Sequence, residues 1–320
     1  MTKKELVLQR LREAAGRPVS GQELARELGV SRAAVWKIIR GLEAEGCRIT
    51  AGPNRGYRLE QDCGLLSEAE LRQRLPGLAV SVLRTVDSTN NEAKRRLLAG
   101  ETRPMLLTAE EQTAGRGRQG KGFYSPAGTG IYLTLVVHPD LPVTDAVSVT
   151  TRASVATARA ICRTTGQTPE IKWVNDLYLD GKKICGILVE AISDFETGIT
   201  KSLIIGVGVN LTTEQCPEGV VGAGALHHQG VTRTELVAAV TEELQKECAD
   251  LRDRSYLEDY RAWSMVLGKK IVYWSGETKT EAVAVGIDDH GGLIVENEAG
   301  QRTTLQSGEI SIRLDPHGAN

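Results

Sequence analysis

The chain has 320 residues, of which 41% are hydrophobic and 25% charged, with a net charge of −2; that is the make-up of a globular protein of two or three domains, not of a disordered or fibrous chain. Nothing in it approaches the roughly 20 consecutive apolar residues of a membrane span, and the opening MTKKELVLQRL is amphipathic with no apolar run. Six cysteines, at positions 47, 63, 162, 185, 216 and 248, form no C-x-x-C pair, which argues against a zinc site or a disulfide framework and favours a reducing cytoplasm.

The small net charge conceals an asymmetry. Residues 1–60 carry 12 Lys and Arg against 7 Asp and Glu, whereas the other 260 carry 27 against 34. A basic segment on an acidic body points to an appended module with an anionic partner. Within it, GQELARELGVSRAAVWKIIRGLEAEG reads as two helices around a turn at Gly29, with Ser31 capping the second. Ala34, Val35, Ile38, Ile39 and Leu42 form the apolar stripe of that helix, leaving Arg32, Ala33, Trp36, Lys37 and Arg40 outside. CRIT, AGPNRG and YRLE follow as strand, turn and strand, a wing bearing Arg48, Arg55 and Arg58. The pattern predicts a winged helix-turn-helix, with Ser31, Arg32, Ala33, Trp36, Lys37, Arg40 and Arg55 as DNA contacts. The same fold used only for protein contacts or packing is the alternative. Two-fold operators would add a requirement for a homodimer.

QDCGLL breaks the pattern, and Ser67 with Glu70 opens a new helix as a capping box. The predicted domains are therefore 1–65, 66–269 and 270–320. The middle one reads as α+β with a mixed sheet, because hairpins interrupt any βαβ rhythm. One hairpin lies in IKWVNDLYLDGKKICGILVEA, where Asp180-Gly181 is a type I′ turn signal. The last fifty residues are short alternating strands, a small all-β barrel of SH3-like size. GRGRQG at 115–120 has the G-x-G-x-x-G spacing of dinucleotide sites, but KGFYSPAGTG follows where that motif needs a helix. The stretch is predicted to be a mobile basic loop.

DSTNNEA at 87–93, EQTAGRGRQGKGFYSP at 111–126, IKWVNDLYLDGKKICGILVE at 171–190 and GVGVN at 206–210, behind a winged helix, together resemble the bifunctional biotin protein ligases that also repress biotin genes. The resemblance covers nearly the whole chain. It implies formation of biotinyl-5′-AMP from biotin and ATP, then transfer of biotin to a lysine of a carboxylase carrier domain. In the repressor subset the adenylate also promotes dimerisation and operator binding.

By the same resemblance, Ser88, Thr89, Asn90 and Gln112, with the backbone at Arg116 and Gly117, would satisfy the ureido ring, whose burial requires matched partners. Thr89 and Asn90 have helix capping as an ordinary alternative. Gly206 and Gly208 alternate on one strand and would let a flat ligand lie on backbone; close packing against a helix is the ordinary alternative, and both can hold together. Arg116, Arg118 and Lys121 would close over two mutually repelling anions. Lys183 would hold the biotin carboxylate and α-phosphate, and its neighbour Lys182 would face solvent. Lys172, Asn175 and Asn210 would contact phosphate or adenosine. Asp176 would act on Mg²⁺ indirectly or help deprotonate the carrier lysine. Mg²⁺ would travel on the polyphosphate, with no protein cage.

Three positions depart from the family pattern. Val174 stands where many relatives have proline, which predicts a looser start to that strand, and Phe123 replaces a frequent tryptophan. TTEQCPEGVVGAGALHHQG, expected over adenine, has no tryptophan. A lipoate-type ligase and a sensing regulator without ligase activity are the competing readings. Retention of Arg116, Arg118, Lys172 and Lys183 argues against the second.

Overall fold

The computed structural model describes residues 2–52, 56–139, 141–142, 146–193, 196, 198–212, 222–227, 230–275, 278–306, 308 and 310–312. The chain divides into two compact units, Met1–Pro76 with Thr232–Thr234, and the remainder.

The first unit contains α1 (Lys3–Glu13), α2 (Gly21–Glu27), α3 (Arg32–Ala44), β1 (Arg48–Gly52), β2 (Gly56–Gln61) and α4 (Glu68–Arg74). Its N-caps are legible in the sequence: Ser31 accepts from the backbone N–H of Ala34, and Ser67 from that of Glu70. Val7, Leu8, Leu11, Leu24, Val35, Ile39 and Leu42 bury one face of each of the first three helices in a shared core. Each such side chain contributes about 1.5–3 kcal/mol when fully buried. β1 and β2 pair antiparallel as the wing.

One expectation fails here. Cys47 and Cys63 are joined by a disulfide, while Cys162, Cys185 and Cys248 are free. Sixteen residues separate the two, but wing pairing brings Arg48 opposite Gln61 and so closes the gap. Asp62 lies beside them and is held by both Nε and Nη2 of Arg12.

In the second unit the elements are β3 (Ala79–Val86), α5 (Thr89–Leu98), β4 (Met105–Gln112), β5 (Gly130–Val137), β6 (Leu141–Pro142), α6 (Ala146–Thr165), β7 (Glu170–Lys172), β8 (Asp176–Leu179), β9 (Lys182–Ser193), β10 (Ile199–Asn210), α7 (Arg233–Ala249) and α8 (Tyr256–Ala262). Then come β11 (Lys270–Ser275), β12 (Thr278–Ile287), β13 (Leu293–Glu296), β14 (Arg302–Leu305) and β15 (Ile310–Ile312). The main sheet has the order β3-β4-β5-β10-β9-β8-β7, with β6 added against β10. β3 and β4 run parallel and the other pairs antiparallel, the mixed sheet expected. Its central strands β5 and β10 are buried on both faces, so they read as apolar runs without alternation. Asp180 and Gly181 both have positive φ, 51° and 72°, as a type I′ turn between β8 and β9 requires. The carboxy-terminal strands form an antiparallel sheet, β14-β13-β12-β11-β15.

The start of the β7–β8 segment is not loose. Val174 is buried, and its carbonyl accepts from the hydroxyls of Ser154 and Tyr260, each at 3.2 Å. The Trp173 indole N–H donates to the Gly291 carbonyl at 3.0 Å, tying this segment to the carboxy-terminal sheet. No described helix is long and apolar enough to cross a membrane.

Candidate active site

A cavity opens where the N-terminus of α5, the end of β4, the 115–123 loop, the β7–β8 segment and strands β9 and β10 converge. Gly308 and Ile310 line it from the carboxy-terminal sheet. Among its walls are Ser88, Thr89, Asn90, Gln112, Arg116, Gly117, Arg118, Lys121, Lys172, Asn175, Asp176, Lys183, Gly206 and Gly208. The sequence motifs therefore meet in space. Asn210 does not line it; its amide donates to the Gly224 carbonyl at 3.1 Å, and its Oδ1 is buried without a partner among the described residues.

One end of the cavity is a polar network. Gln112 Oε1 accepts from both the backbone N–H and the hydroxyl of Thr89, at 2.9 and 3.1 Å. Its amide nitrogen must then point away, and it donates to Ser125 Oγ at 2.9 Å. Thr134, fully buried on β5, lies 2.7 Å from Asn90 Oδ1 and 2.8 Å from the Thr89 hydroxyl. Ser88 occupies the N-cap position of α5 yet makes no capping bond, although it is only 2% exposed. Capping therefore does not account for this serine, unlike Ser31 and Ser67.

The alternate glycines have a definite steric purpose. A Cβ on Gly206 would sit 2.3 Å from Asn90 Oδ1, and one on Gly208 would sit 2.5 Å from the Phe123 ring. Gly186, directly across the sheet from Gly208, would place a Cβ 3.3 Å from the same ring. The glycine pair is thus a notch for Phe123, and Gly206 admits the Asn90 carboxamide of a helix. Close packing is thus present at both glycines, and both also line the cavity.

Glycines also shape the basic loop, which forms a narrow hairpin. Phe123 N–H donates to the Gly115 carbonyl at 2.8 Å and Gly117 N–H to the Lys121 carbonyl at 2.7 Å. A Cβ on Gly115 would lie 2.3 Å from the Phe123 carbonyl. The stretch expected to be a mobile loop takes the form of a hairpin with a 3₁₀ turn at its tip, and its glycine spacing serves backbone crossing.

Among the described residues, five cations face the cavity against one lining carboxylate. Lys183 pairs with Asp176 at 2.8 Å, and Asp176 Oδ1 is buried without a hydrogen-bond partner among the described residues. Arg118 donates to Asn175 Oδ1 at 3.1 Å, while Asn175 Nδ2 donates to the Ile187 carbonyl at 2.8 Å. The Lys172 ammonium lies 5.8 Å from the centre of the Tyr178 ring. Lys182 is exposed, on the other face of β9. Thr134, Trp173, Gly308 and Ile310 were not singled out in the sequence. A threonine inside GIYLTLVV was the one available signal, as a lone polar group in an apolar strand.

In the first unit, Arg32, Ala33, Trp36, Lys37 and Arg40 are exposed along α3, and Trp36 is 51% exposed. Arg40 lies over the Trp36 ring at 5.4 Å and pairs with Glu43 at 3.0 Å. Ser31 is exposed with its hydroxyl engaged in the cap. Arg55 lies outside the described residues.

Residues 82–210 match the biotin/lipoate A/B protein ligase family, residues 3–58 an HTH domain, and residues 268–313 the biotin protein ligase C-terminal domain. The bifunctional ligase/repressor BirA of Bacillus spizizenii is 30% identical over 316 residues, covering 94% of this chain and 95% of its own length. That of Escherichia coli is 31% identical, covering 92% of each chain. Among solved structures, the biotin protein ligase of Aquifex aeolicus in complex with biotin and ATP superposes with a TM-score of 0.60 at 25% identity, over 74% of this chain and 99% of that one.

Proposed function

The chain belongs to the bifunctional ligase/repressor family of biotin protein ligases, and from that membership we propose that its cavity binds biotin and ATP, makes biotinyl-5′-AMP and hands biotin to a carrier lysine. The observation that carries this reading is the charge arrangement: Arg116, Arg118, Lys121, Lys172 and Lys183 around a cavity with Asp176 as the one lining carboxylate among the described residues. Such a site suits the meeting of two anions. Biotin's carboxylate is ionised at neutral pH and attacks the α-phosphorus of ATP directly, with pyrophosphate leaving. The step needs no enzyme nucleophile and no general base. It needs alignment and cations that are stronger partners for the crowded transition state than for the separated reactants.

Ser88, Thr89, Asn90, Gln112 and the Arg116–Gly117 backbone are assigned to the ureido end, and Gly206 and Gly208 to the floor through the side chains they admit. Lys183 is assigned to the carboxylate and α-phosphate, while Arg116, Arg118, Lys121, Lys172 and Asn175 take the phosphates and ribose. In the second step the carrier ammonium loses a proton, its nitrogen attacks the anhydride carbonyl, an amide forms and AMP departs. Asp176 is the acceptor for that proton, since its Oδ1 has no other hydrogen bond. An Mg²⁺ ion would neutralise polyphosphate charge. With one lining carboxylate among the described residues, it would be carried by ATP oxygens and water, with Asp176 as an indirect partner.

The first unit is assigned to operator DNA through the α3 face, as a homodimer assembled on the adenylate, and the protein to the cytoplasm. The test is incubation with ATP, labelled biotin and a biotin carrier domain. Label on the carrier lysine, with pyrophosphate and AMP released, is the expected result. Modification by lipoate instead, or none at all, overturns the reading. An operator-containing fragment should be retarded by the full chain with biotin and ATP, and by a chain lacking residues 1–65 not at all.

A further inference from the structure

The disulfide of the first unit has no part in the ligase or operator readings. Cys47 stands at the end of α3, where its N–H donates to the Leu42 carbonyl at 3.1 Å around Gly46, whose φ is 94°. Cys63 lies just past the end of β2, so the bond between them closes the open base of the wing. We propose that Cys47 and Cys63 are a reversible redox site, a dithiol–disulfide pair whose oxidised form fastens the base of the wing for DNA binding. The effect on DNA rests on the operator reading of α3; the thiol chemistry does not.

Two observations favour thiol exchange over other uses of the pair. Access is unequal: Cys47 is 4% exposed within the apolar core, whereas Cys63 is partly buried at its edge. An external thiolate therefore reaches Cys63 Sγ, and Cys47 is the sulfur that leaves. Asp62 stands close enough to both sulfurs to complete a metal-binding trio, but its carboxylate is already engaged. Arg12 Nε and Nη2 take its two oxygens, and the Gly64 N–H donates to Oδ1 at 2.9 Å. A metal would have to displace Arg12. Oxidation proceeds by exchange with a low-molecular-weight disulfide. The Cys63 thiolate attacks one of its sulfurs and expels a thiolate; the Cys47 thiolate then attacks Cys63 Sγ in the mixed disulfide and expels the second. The two protons given up by the cysteines pass to the two released thiols. Two protein thiols are oxidised and one external disulfide is reduced. Burial pushes the Cys185 thiol up, and the Cys248 thiol up to about 12, so neither competes as a nucleophile.

The consequence follows from what else holds the base of the wing. With the thiols reduced, strand pairing remains, and its register shifts between Arg48 and Ile49, right at that base. Arg12 also remains, on Asp62 and on the Leu65 carbonyl at 3.0 Å. Arg48 and Arg58 are exposed on the two wing strands, where phosphates would meet them. A wing that frays at its base must be ordered again before those arginines can bind. Reordering the backbone of a single residue lowers a binding constant about tenfold. The oxidised form is therefore the tighter DNA binder, and the catalytic unit is indifferent to the change.

The test exposes the reduced full chain to oxidised glutathione with a chelator present, then alkylates the remaining thiols and maps tryptic peptides by mass spectrometry. A linked Cys47–Cys63 pair is expected, with Cys162, Cys185 and Cys248 alkylated, and dithiothreitol should reverse the link. With biotin and ATP, the linked form should retard an operator-containing fragment at about tenfold lower protein concentration than the reduced form. Biotin transfer should agree between the two within about twofold. Cys63→Ser should bind DNA as the reduced form does, whether or not it meets oxidant. Failure of the native chain to form the Cys47–Cys63 link overturns the redox site. So does a zinc ion bound by the reduced chain, lost in Cys63→Ser and protective against oxidation, since the pair would then be a metal site. Equal DNA affinity of linked and reduced wild type overturns the role in the wing, and that comparison decides if Cys63→Ser misfolds. A chain that retards the fragment in neither form refutes the operator reading instead, and the thiol map still decides the redox site.

Discussion

The three glycines beneath Asn90 and Phe123 allow a graded test of how the cavity is built. Alanine at Gly206 puts a methyl 2.3 Å from Asn90 Oδ1, whereas relaxed carbon contacts lie at about 3.5–4.0 Å. The carboxamide must retreat by about 1 Å, and it has nowhere easy to go. It is 3% exposed, with Oδ1 against Thr134 and Nδ2 against Glu190 and the Leu188 carbonyl. Losing the charge-assisted bond to Glu190 costs about 1.5–3 kcal/mol. Replacing strand-interior glycine by alanine returns about 0.5–1 kcal/mol of backbone entropy. The net expectation is destabilisation of about 1–2 kcal/mol, together with a loss of biotin affinity of at least about tenfold.

Gly208→Ala meets the Phe123 ring at 2.5 Å, so the ring must leave its notch, and a comparable loss is expected. Gly186→Ala meets the same ring at 3.3 Å and asks for a shift of a few tenths of an ångström. The entropy gain offsets that, and the variant should unfold within about 0.5 kcal/mol of wild type. Urea unfolding midpoints and biotin calorimetry on the three variants provide the measurement. Equal behaviour of Gly206→Ala and Gly186→Ala would refute the steric argument, whatever the absolute values.

Lys183→Ala should reduce adenylate formation by about 100-fold or more with the fold intact, read as pyrophosphate release; near-normal turnover would remove Lys183 from the first step. Asp87 is held well below the usual carboxylate range by Arg95, and Glu92 and Glu190 are also lowered, despite burial, by their paired cations and hydrogen bonds. All three folded values lie below the unfolded ones, so their stabilisation is present above about pH 4 and is lost as pH falls through the folded values. The urea midpoint should therefore drop steadily from pH 5 toward about pH 2.5, and less steeply in Glu190→Gln; a flat profile would contradict the pairing. Lys37→Ala should weaken DNA binding at all sequences alike and reduce the slope of log K against log salt by about 1, while an unaltered slope would take Lys37 off the phosphates.

What the sequence made legible was whatever is written contiguously. The outward face of α3 follows from the apolar stripe Val35, Ile39, Leu42, and the β8–β9 turn from Asp180-Gly181. The walls of the cavity were readable because Ser88 to Asn90, Gln112 to Lys121 and Lys172 to Lys183 lie in three short runs. Contacts made across the fold were not. Cys47 and Cys63 meet through strand pairing, Thr134 bonds Thr89 and Asn90 across from β5, and Glu190 meets Asn90 and Lys94 from β9. The hairpin at 115–123 was missed for a different reason: glycines that permit backbone crossing and glycines that permit mobility are the same residues.

The charges at the cavity have a consequence for affinity that contact counting misses. Arg116 rests on Glu190 and Asn91, Lys183 on Asp176 and Arg118 on Asn175. Glu190 and Asp176 are surrogate anions that lessen repulsion among the cations, while Asn91 and Asn175 are neutral acceptors. Each ligand contact is therefore an exchange of partners, and only the difference between old and new partner appears in the binding energy. Removing a surrogate has two opposed effects, a freer cation for the ligand and a more repulsive empty cavity. Asp176 illustrates the balance: neutralising it removes a competitor for Lys183 but also the proton acceptor assigned to transfer. Adenylate formation and biotin transfer should thus respond to that one residue in different proportions, which a site held together by fixed contacts alone would not do.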